Sequence, residues 1–157
     1  LFGVLLVNGE MQTYHAFLAE NPSEEGRAWL DFIEFLKQYP DANIYHYGWY
    51  EEEVFRRMGE KHGVPDEIKK QFEEKMIDVL VRMREKVIFP MSFYSLKDVA
   101  KYLGFSWRHE EASGLNSVLW YDKWITDGDR QALQDVVDYN EDDVRATWLV
   151  RNWAIDK

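Results

Sequence analysis

The chain of 157 residues contains no cysteine. That excludes disulfides, thiolate zinc sites and cysteine nucleophiles, and it favours an intracellular, cytoplasmic setting. Long apolar runs are missing too: no segment approaches the roughly 20 residues that span a bilayer, and no signal peptide is visible, so no membrane partner is expected. There are only four prolines and nine glycines. Without a repeat, low-complexity tract or linker, a single domain over residues 1–157 is expected. Positive charge is also scarce. Nineteen Lys and Arg against 29 Asp and Glu leave a net charge of −10 and a pI near 4.9, which argues against a passive polyanion binder with a basic face.

An acidic chain can still act on a polyanion through bound cations, which reverse the local sign. The basic residues that exist are grouped, as Arg82, Arg84 and Lys86 and as Lys97, Lys101 and Arg108; solvated helix faces explain them equally well. The chain begins at Leu1, inside an apolar run and without an initiator methionine, and reads as a piece of something longer.

The apolar pattern predicts an α/β order. Leu1 to Val7 and Gln12 to Leu18 read as paired strands around Asn8-Gly9, a type I′ hairpin signal. Ser23 is expected to cap a helix whose apolar positions are Trp29, Phe32, Ile33, Phe35 and Leu36. A strand over Asn43 to Tyr47 and a helix from Glu51 to about Lys61 follow, ended by Gly63 and Pro65. From Asp66 to about Lys86 the pattern is helical throughout, with Phe72, Met76, Val79, Leu80 and Met83 as its stripe. Ser95 opens a short helix that Gly104 stops. Ser113 to about Trp124 is helical, and Asp129 or its neighbour caps a long last helix reaching about Trp153.

On that last helix Tyr139 and Asp143 are four residues apart and share a face. Placed on a wheel, Leu133, Val137, Val144 and Trp148 form one stripe with Asn140 in its middle. Asp143 and Tyr139 flank it beside Val136 and Val150, whereas Asp142 and Glu141 are expected to face solvent. A phenol that orients water and a carboxylate that holds a cation would then share one space, although an acidic helix produces the same pattern by chance. Glu51 follows Tyr45-His46-Tyr47-Gly48-Trp49-Tyr50 at a strand-to-helix turn, the sheet edge where open α/β folds place ligands. Favourable charge beside a helix N-terminus explains Glu51 to Glu53 as well. Asp78 reads either as a site residue or as a cap, and Lys97 either as a phosphate contact or as a surface lysine. His46 stands alone on its strand and reads as structural. Trp107 and Tyr94 are candidates for stacking on unpaired bases.

These segments resemble the DEDD exonuclease group of the ribonuclease H-like superfamily, in the variant with tyrosine in its last motif, and within it the YprB-like domain also found attached to RecB-like nucleases. The resemblance rests on Tyr45-His46-Tyr47 through Glu51, Asp78-Val79-Leu80, Phe89-Pro90 with Tyr94-Ser95-Leu96-Lys97, Leu103-Gly104-Phe105 with Trp107, Ala112-Ser113-Gly114 with Trp120-Tyr121, and Tyr139 to Asp143. It implies a central mixed β-sheet flanked by helices and a 3′-to-5′ exonuclease site with two Mg2+ or Mn2+ ions. It further implies DNA or RNA substrates, single-stranded or at ends, and a fused RecB-like nuclease or helicase domain. Asp143 and Glu51 would be metal ligands, Glu51 standing where aspartate is usual, and Tyr139 would orient the attacking water. Lys97 and Asp78 would lie on the substrate side. The family's first motif, Asp-x-Glu on the opening strand, has no counterpart: Leu1 to Val7 holds no carboxylate and Glu10 falls in the hairpin turn. This stretch alone is therefore expected to bind metal weakly and turn over poorly or not at all, leaving open a catalytically weak module that binds nucleic acid for an attached nuclease or helicase domain.

Overall fold

A computed structural model describes residues 1–111 and 113–155; Ala112 of the Ala112-Ser113-Gly114 segment lies outside the described residues. The chain opens with an antiparallel hairpin, β1 (Phe2–Asn8) and β2 (Met11–Phe17), in which Asn8 faces Met11. The loop is therefore Gly9-Glu10. Gly9 has φ of 61° while, among the described residues, no non-glycine residue has positive φ, which is the type II′ pattern, not type I′. A type I′ turn would force Glu10 into the left-handed region against its own Cβ.

A 3-10 turn (Pro22–Glu24) follows, capped by Asn21, whose side chain accepts from the Ser23 amide. Ser23 is thus the capped residue and not the cap expected from the sequence. In α1 (Glu25–Lys37), Ala28, Trp29, Phe32, Ile33 and Leu36 are buried at helical spacing. Phe2 and Phe17 of the hairpin lie against this face, with ring centroids 5.4 Å (Phe2–Trp29) and 5.8 Å (Phe17–Phe32) apart. Then come β3 (Ile44–His46), α2 (Tyr50–His62) and α3 (Asp66–Lys75). Gly63 ends α2 at φ 88° and its carbonyl accepts the Trp29 indole N–H at 2.8 Å.

The helix expected across residues 66–86 is broken. Met76–Asp78 forms β4, parallel to β3 with His46 opposite Asp78, and α4 (Val79–Arg84) starts immediately after it. A helical stripe and a three-residue, half-buried strand share the same apolar positions, so the pattern cannot separate them. The last elements are α5 (Leu96–Tyr102), α6 (Gly114–Asp127) and α7 (Arg130–Ile155).

The result is mixed α/β, but with two separate two-stranded sheets among the described residues instead of one central sheet. The long helix α7 lies against both β1 and β3. At the β1 crossing, a Cβ on Gly3 would come within 1.6 Å of Asn140 Oδ1, and Tyr14 donates to that same oxygen at 2.7 Å. Glycine is needed there for close approach. Two cores result. One surrounds Trp29 and joins the hairpin to α1, α2 and α3. The other joins Val79, Met83, Phe89, Val99, Ala100 and Trp107 to Ala146, Val150 and Ala154 of α7.

Candidate functional site

The buried face of α7 includes Val136, Ala146, Val150 and Ala154, and Tyr139 and Asp143 lie along that same line. This is the flank of the stripe expected from the wheel, because several elements cover α7 at once. The Trp107 indole N–H donates to Asp143 Oδ1 at 2.8 Å. Trp107 is only 7% exposed and meets Phe105 edge-on. Lys97 Nζ lies 5.6 Å from the Trp107 ring centroid and 5.9 Å from that of Tyr139. Three elements thus bring an aspartate, a phenol, an indole and an ammonium to one point.

Burial pushes the Asp143 carboxyl up to about 6. The Trp107 N–H and Lys97 oppose that rise, while the charges of Asp142 and Glu51 add to it. Burial, with the neighbouring Asp143 carboxylate, pushes the Tyr139 phenol up to about 12. Tyr139 therefore stays protonated at neutral pH and remains a hydrogen-bond donor.

Glu51 enters from the first turn of α2. The turn before it is fixed from two sides: the Gly48 amide donates to Asp78 Oδ1 at 2.9 Å, and the Gly48 carbonyl is 2.7 Å from His46 Nδ1. Gly48 has φ of 87°, which favours glycine. The same Asp78 oxygen accepts from the Leu80 amide at 2.9 Å and so caps α4. Asp78 is a cap that splices β4, α4 and the Glu51 turn. His46 is buried, with Glu52 Oε1 3.1 Å from its Nε2, so the structural reading of this histidine holds. Burial raises the Glu51 carboxyl above its ordinary range, and Asp78 and Glu52 add to this. Its Oε2 is buried without a hydrogen-bond partner among the described residues.

Asp142 corrects the wheel. It is 6% exposed and accepts from both the Arg108 amide (2.9 Å) and Arg108 Nε (3.1 Å). Glu141 is also engaged, by Arg108 at 3.0 Å and Arg145 at 2.9 Å. The segment after α5 folds back over this face of α7, which no single-helix pattern can report. Arg108 is accordingly an ion-pair residue and not part of a free basic group. Trp107 is buried and so is not available for stacking, and the half-buried Tyr94 ring already meets Phe89 edge-on at 5.5 Å and carries Arg84 over its face, while its hydroxyl accepts from the Phe89 amide at 2.8 Å. Trp49, 71% exposed and two residues before Glu51, is an open ring that sequence reasoning passed over. Trp107 as the Asp143 partner was also missed, since a contact across 36 residues leaves no local signal.

Among the described residues, one group brings three possible ligand atoms within 4.8 Å of one another: His109, Asp135 and Asp138. Arg108 already pairs with Asp138 at 3.3 Å and His109 with Asp135 at 3.3 Å. Glu51, Asp78 and Asp143 do not form a group of that tightness. A groove of about 540 Å³ between α2 and α3, lined by Phe55, Val64, Phe72 and Met76 with Arg56 and Glu60, lies apart from Asp143 and Tyr139.

A family model described as RNase_H superfamily matches residues 1–155. The chain belongs to the RNase H superfamily. Searches of curated proteins and of solved structures returned no match. No helix among the described residues is long and apolar enough to cross a membrane.

Proposed function

We propose that this domain hydrolyses phosphodiester bonds at nucleic-acid ends, as a metal-dependent 3′-to-5′ exonuclease of the DEDD type with tyrosine in its last motif. Membership of the RNase H superfamily supports a nuclease-like role on nucleic acid. The observation that carries the finer reading is the meeting of Asp143, Tyr139, Lys97 and Trp107, with the Glu51 charge within range of Asp143.

The donors suit a hard divalent ion. Glu51 offers a buried oxygen without a partner, and Asp143 offers a carboxylate whose charge burial penalises; a cation of the Mg2+ or Mn2+ kind would relieve both. Such ions, when bound, activate water and stabilise the leaving oxygen. Trp107 fixes Asp143 through Oδ1. Tyr139, protonated, orients the attacking water through its O–H and does not act as base. Lys97 meets a phosphate as a point charge. Unpaired DNA or RNA is the substrate, because the backbone must be splayed to reach Asp143.

One observation favours a second reading. β1, which crosses α7 at Asn140, carries no carboxylate, so the donors number fewer than two ions need. A catalytically weak module that binds nucleic acid for a fused RecB-like nuclease or helicase domain would have this composition. The test is Mn2+-dependent shortening of end-labelled single-stranded DNA and RNA by the protein expressed from its full reading frame, with Asp143→Asn as control. Shortening lost in the variant supports the enzyme. Binding of either strand without shortening moves the assignment to the module.

A further inference from the structure

Charge is unevenly distributed in this acidic chain. From Val79 to Gly104, Arg82, Arg84, Lys86, Lys97 and Lys101 stand against Glu85 and Asp98 only, a local excess of three positive charges where the whole chain carries −10. Several of these cations are not neutralised. Arg82 has Glu85 at 3.8 Å, but among the described residues no carboxylate comes within 4 Å of the charged groups of Arg84, Lys97 or Lys101. Arg84 lies over the Tyr94 ring, 5.9 Å from its centroid. Tyr94 directly precedes Ser95, the cap of α5, and Lys97 stands in the first turn of that helix. Tyr94 is held in place from the Glu51 side, since the Tyr47 hydroxyl donates to its carbonyl at 2.6 Å. A path of direct contacts thus runs from Arg84 through Tyr94 and the α5 N-terminus to Lys97, Trp107 and Asp143. Beside it, Phe93 is 81% exposed. An exposed phenyl ring one residue before Tyr94, in a segment whose Arg84 and Lys97 have no carboxylate within 4 Å among the described residues, matches the recognition of single strands, where cations track the backbone and a ring stacks an unpaired base.

We propose that the corner between α4 and α5 guides one unpaired strand of nucleic acid to the site, with Lys97 and Arg84 on successive phosphates and a base stacked on Phe93. The inference rests on the nuclease reading for its direction but can be read separately from it. Inside a duplex every base face is covered by its neighbours, so only a terminal pair could meet Phe93 without unstacking. The corner therefore selects single strands, while Arg108, tied to Asp138, Glu141 and Asp142, takes no part.

The experiment uses fluorescence anisotropy of a labelled oligo(dT) of about 12 nucleotides and a duplex of equal length, titrated with Asp143→Asn protein so that nothing is degraded. Phe93→Ala in that background is expected to weaken single-strand binding about 5- to 100-fold, from the known strength of base stacking, and to leave duplex binding unchanged. Arg84→Gln is expected to reduce the magnitude of the salt slope by about 0.7, the value for one phosphate of a single strand, and Arg84→Lys to restore it. Both side chains are exposed, so neither substitution threatens folding. Unchanged affinity and slope in both variants, or a duplex bound as tightly as the single strand, would overturn the proposal. If these effects appear while the wild type shortens no strand, the corner stands and the nuclease reading fails. If the wild type shortens strands while Phe93→Ala and Arg84→Gln alter neither binding nor rate, the corner fails alone.

Discussion

The two cores of this molecule spend their buried polar groups differently. Around Trp29, rings from β1, β2, α1, α2 and α3 pack together, and the polar groups inside are uncharged and bonded to backbone, the Trp29 indole to the Gly63 carbonyl and Gln71 Nε2 to the carbonyls of Tyr39 and Ala42, while Gln71 Oε1 has no partner among the described residues. Around α7, the core is interrupted by carboxylates. Asp143, Asp142 and Glu51 are drawn out of water there, two of them with raised carboxyls. One half is built for stability. The other holds carboxylates whose charge is costly until a proton, a counter-ion or a ligand meets it.

The largest way to sharpen this contrast is to damage the first core. Trp29→Ala, at a fully buried side chain, should lower stability by about 3–5 kcal/mol, a large part of the roughly 5–15 kcal/mol a domain possesses. Denaturant melts would show it, and a shift below about 1 kcal/mol would mean that the Trp29 cluster is not the main support.

Next is the seam between the halves. Gly3→Ala drives a methyl into Asn140 Oδ1 and should destabilise by about 1–3 kcal/mol. Asn140→Ala in the same chain should recover part of that loss. No recovery would show that β1 does not rest on α7 at this point.

At the site the sign reverses. The raised Asp143 carboxyl contributes stability that is present below the ordinary aspartate range and lost as pH rises through about 6. At pH 7.5 without divalent ions, Asp143→Asn should therefore melt higher than wild type, by an amount on the order of 1–3 kcal/mol. The difference should shrink towards pH 4, and Mn2+ should raise the wild-type Tm but not that of the variant. A variant that melts lower at pH 7.5 would show Asp143 to be satisfied without metal.

A smaller effect is expected at Trp107. Removing its N–H by Trp107→Phe should raise the Asp143 carboxyl further. The acid limb of the pH–rate profile should then move to higher pH, with roughly a tenfold loss near pH 6 and recovery at alkaline pH. A uniform loss at every pH would mean that Trp107 only packs. Least of all should come from Glu53→Gln on α2, where the pair with Arg56 at 2.7 Å is solvent-exposed; no measurable change in Tm is expected.

Much of the chain was legible without the structure, and most of the errors share an origin. The hairpin, α1, α2, α5, α6 and α7 follow from apolar periods, glycines and caps that act within a few residues. Tyr139 and Asp143 share a face because a helix dictates it. Most of the misreadings concern partners distant in the chain. Met76–Asp78 became a strand because β3 lies beside it, and parallel pairing requires a long crossover that leaves no mark on three residues. Asp142 was expected in solvent because Arg108 comes from 34 residues away. Ser23 lost the cap to Asn21 by local competition among turn formers.

What the sequence determined by itself is the local chemistry: an acidic, cysteine-free α/β chain, a long last helix carrying a phenol and a carboxylate in register, and a glycine turn placing Glu51 at a helix start. The tertiary structure decided what those groups meet. It put Trp107 on Asp143 and Lys97 beside the Trp107 and Tyr139 rings, turned Asp78 into the cap that fixes the Glu51 turn, and divided the expected central sheet into two pairs with α7 against both. Periodicity reports only neighbours within a turn or two of helix, whereas charge, burial and pairing depend on elements that reach one another only when the chain is folded.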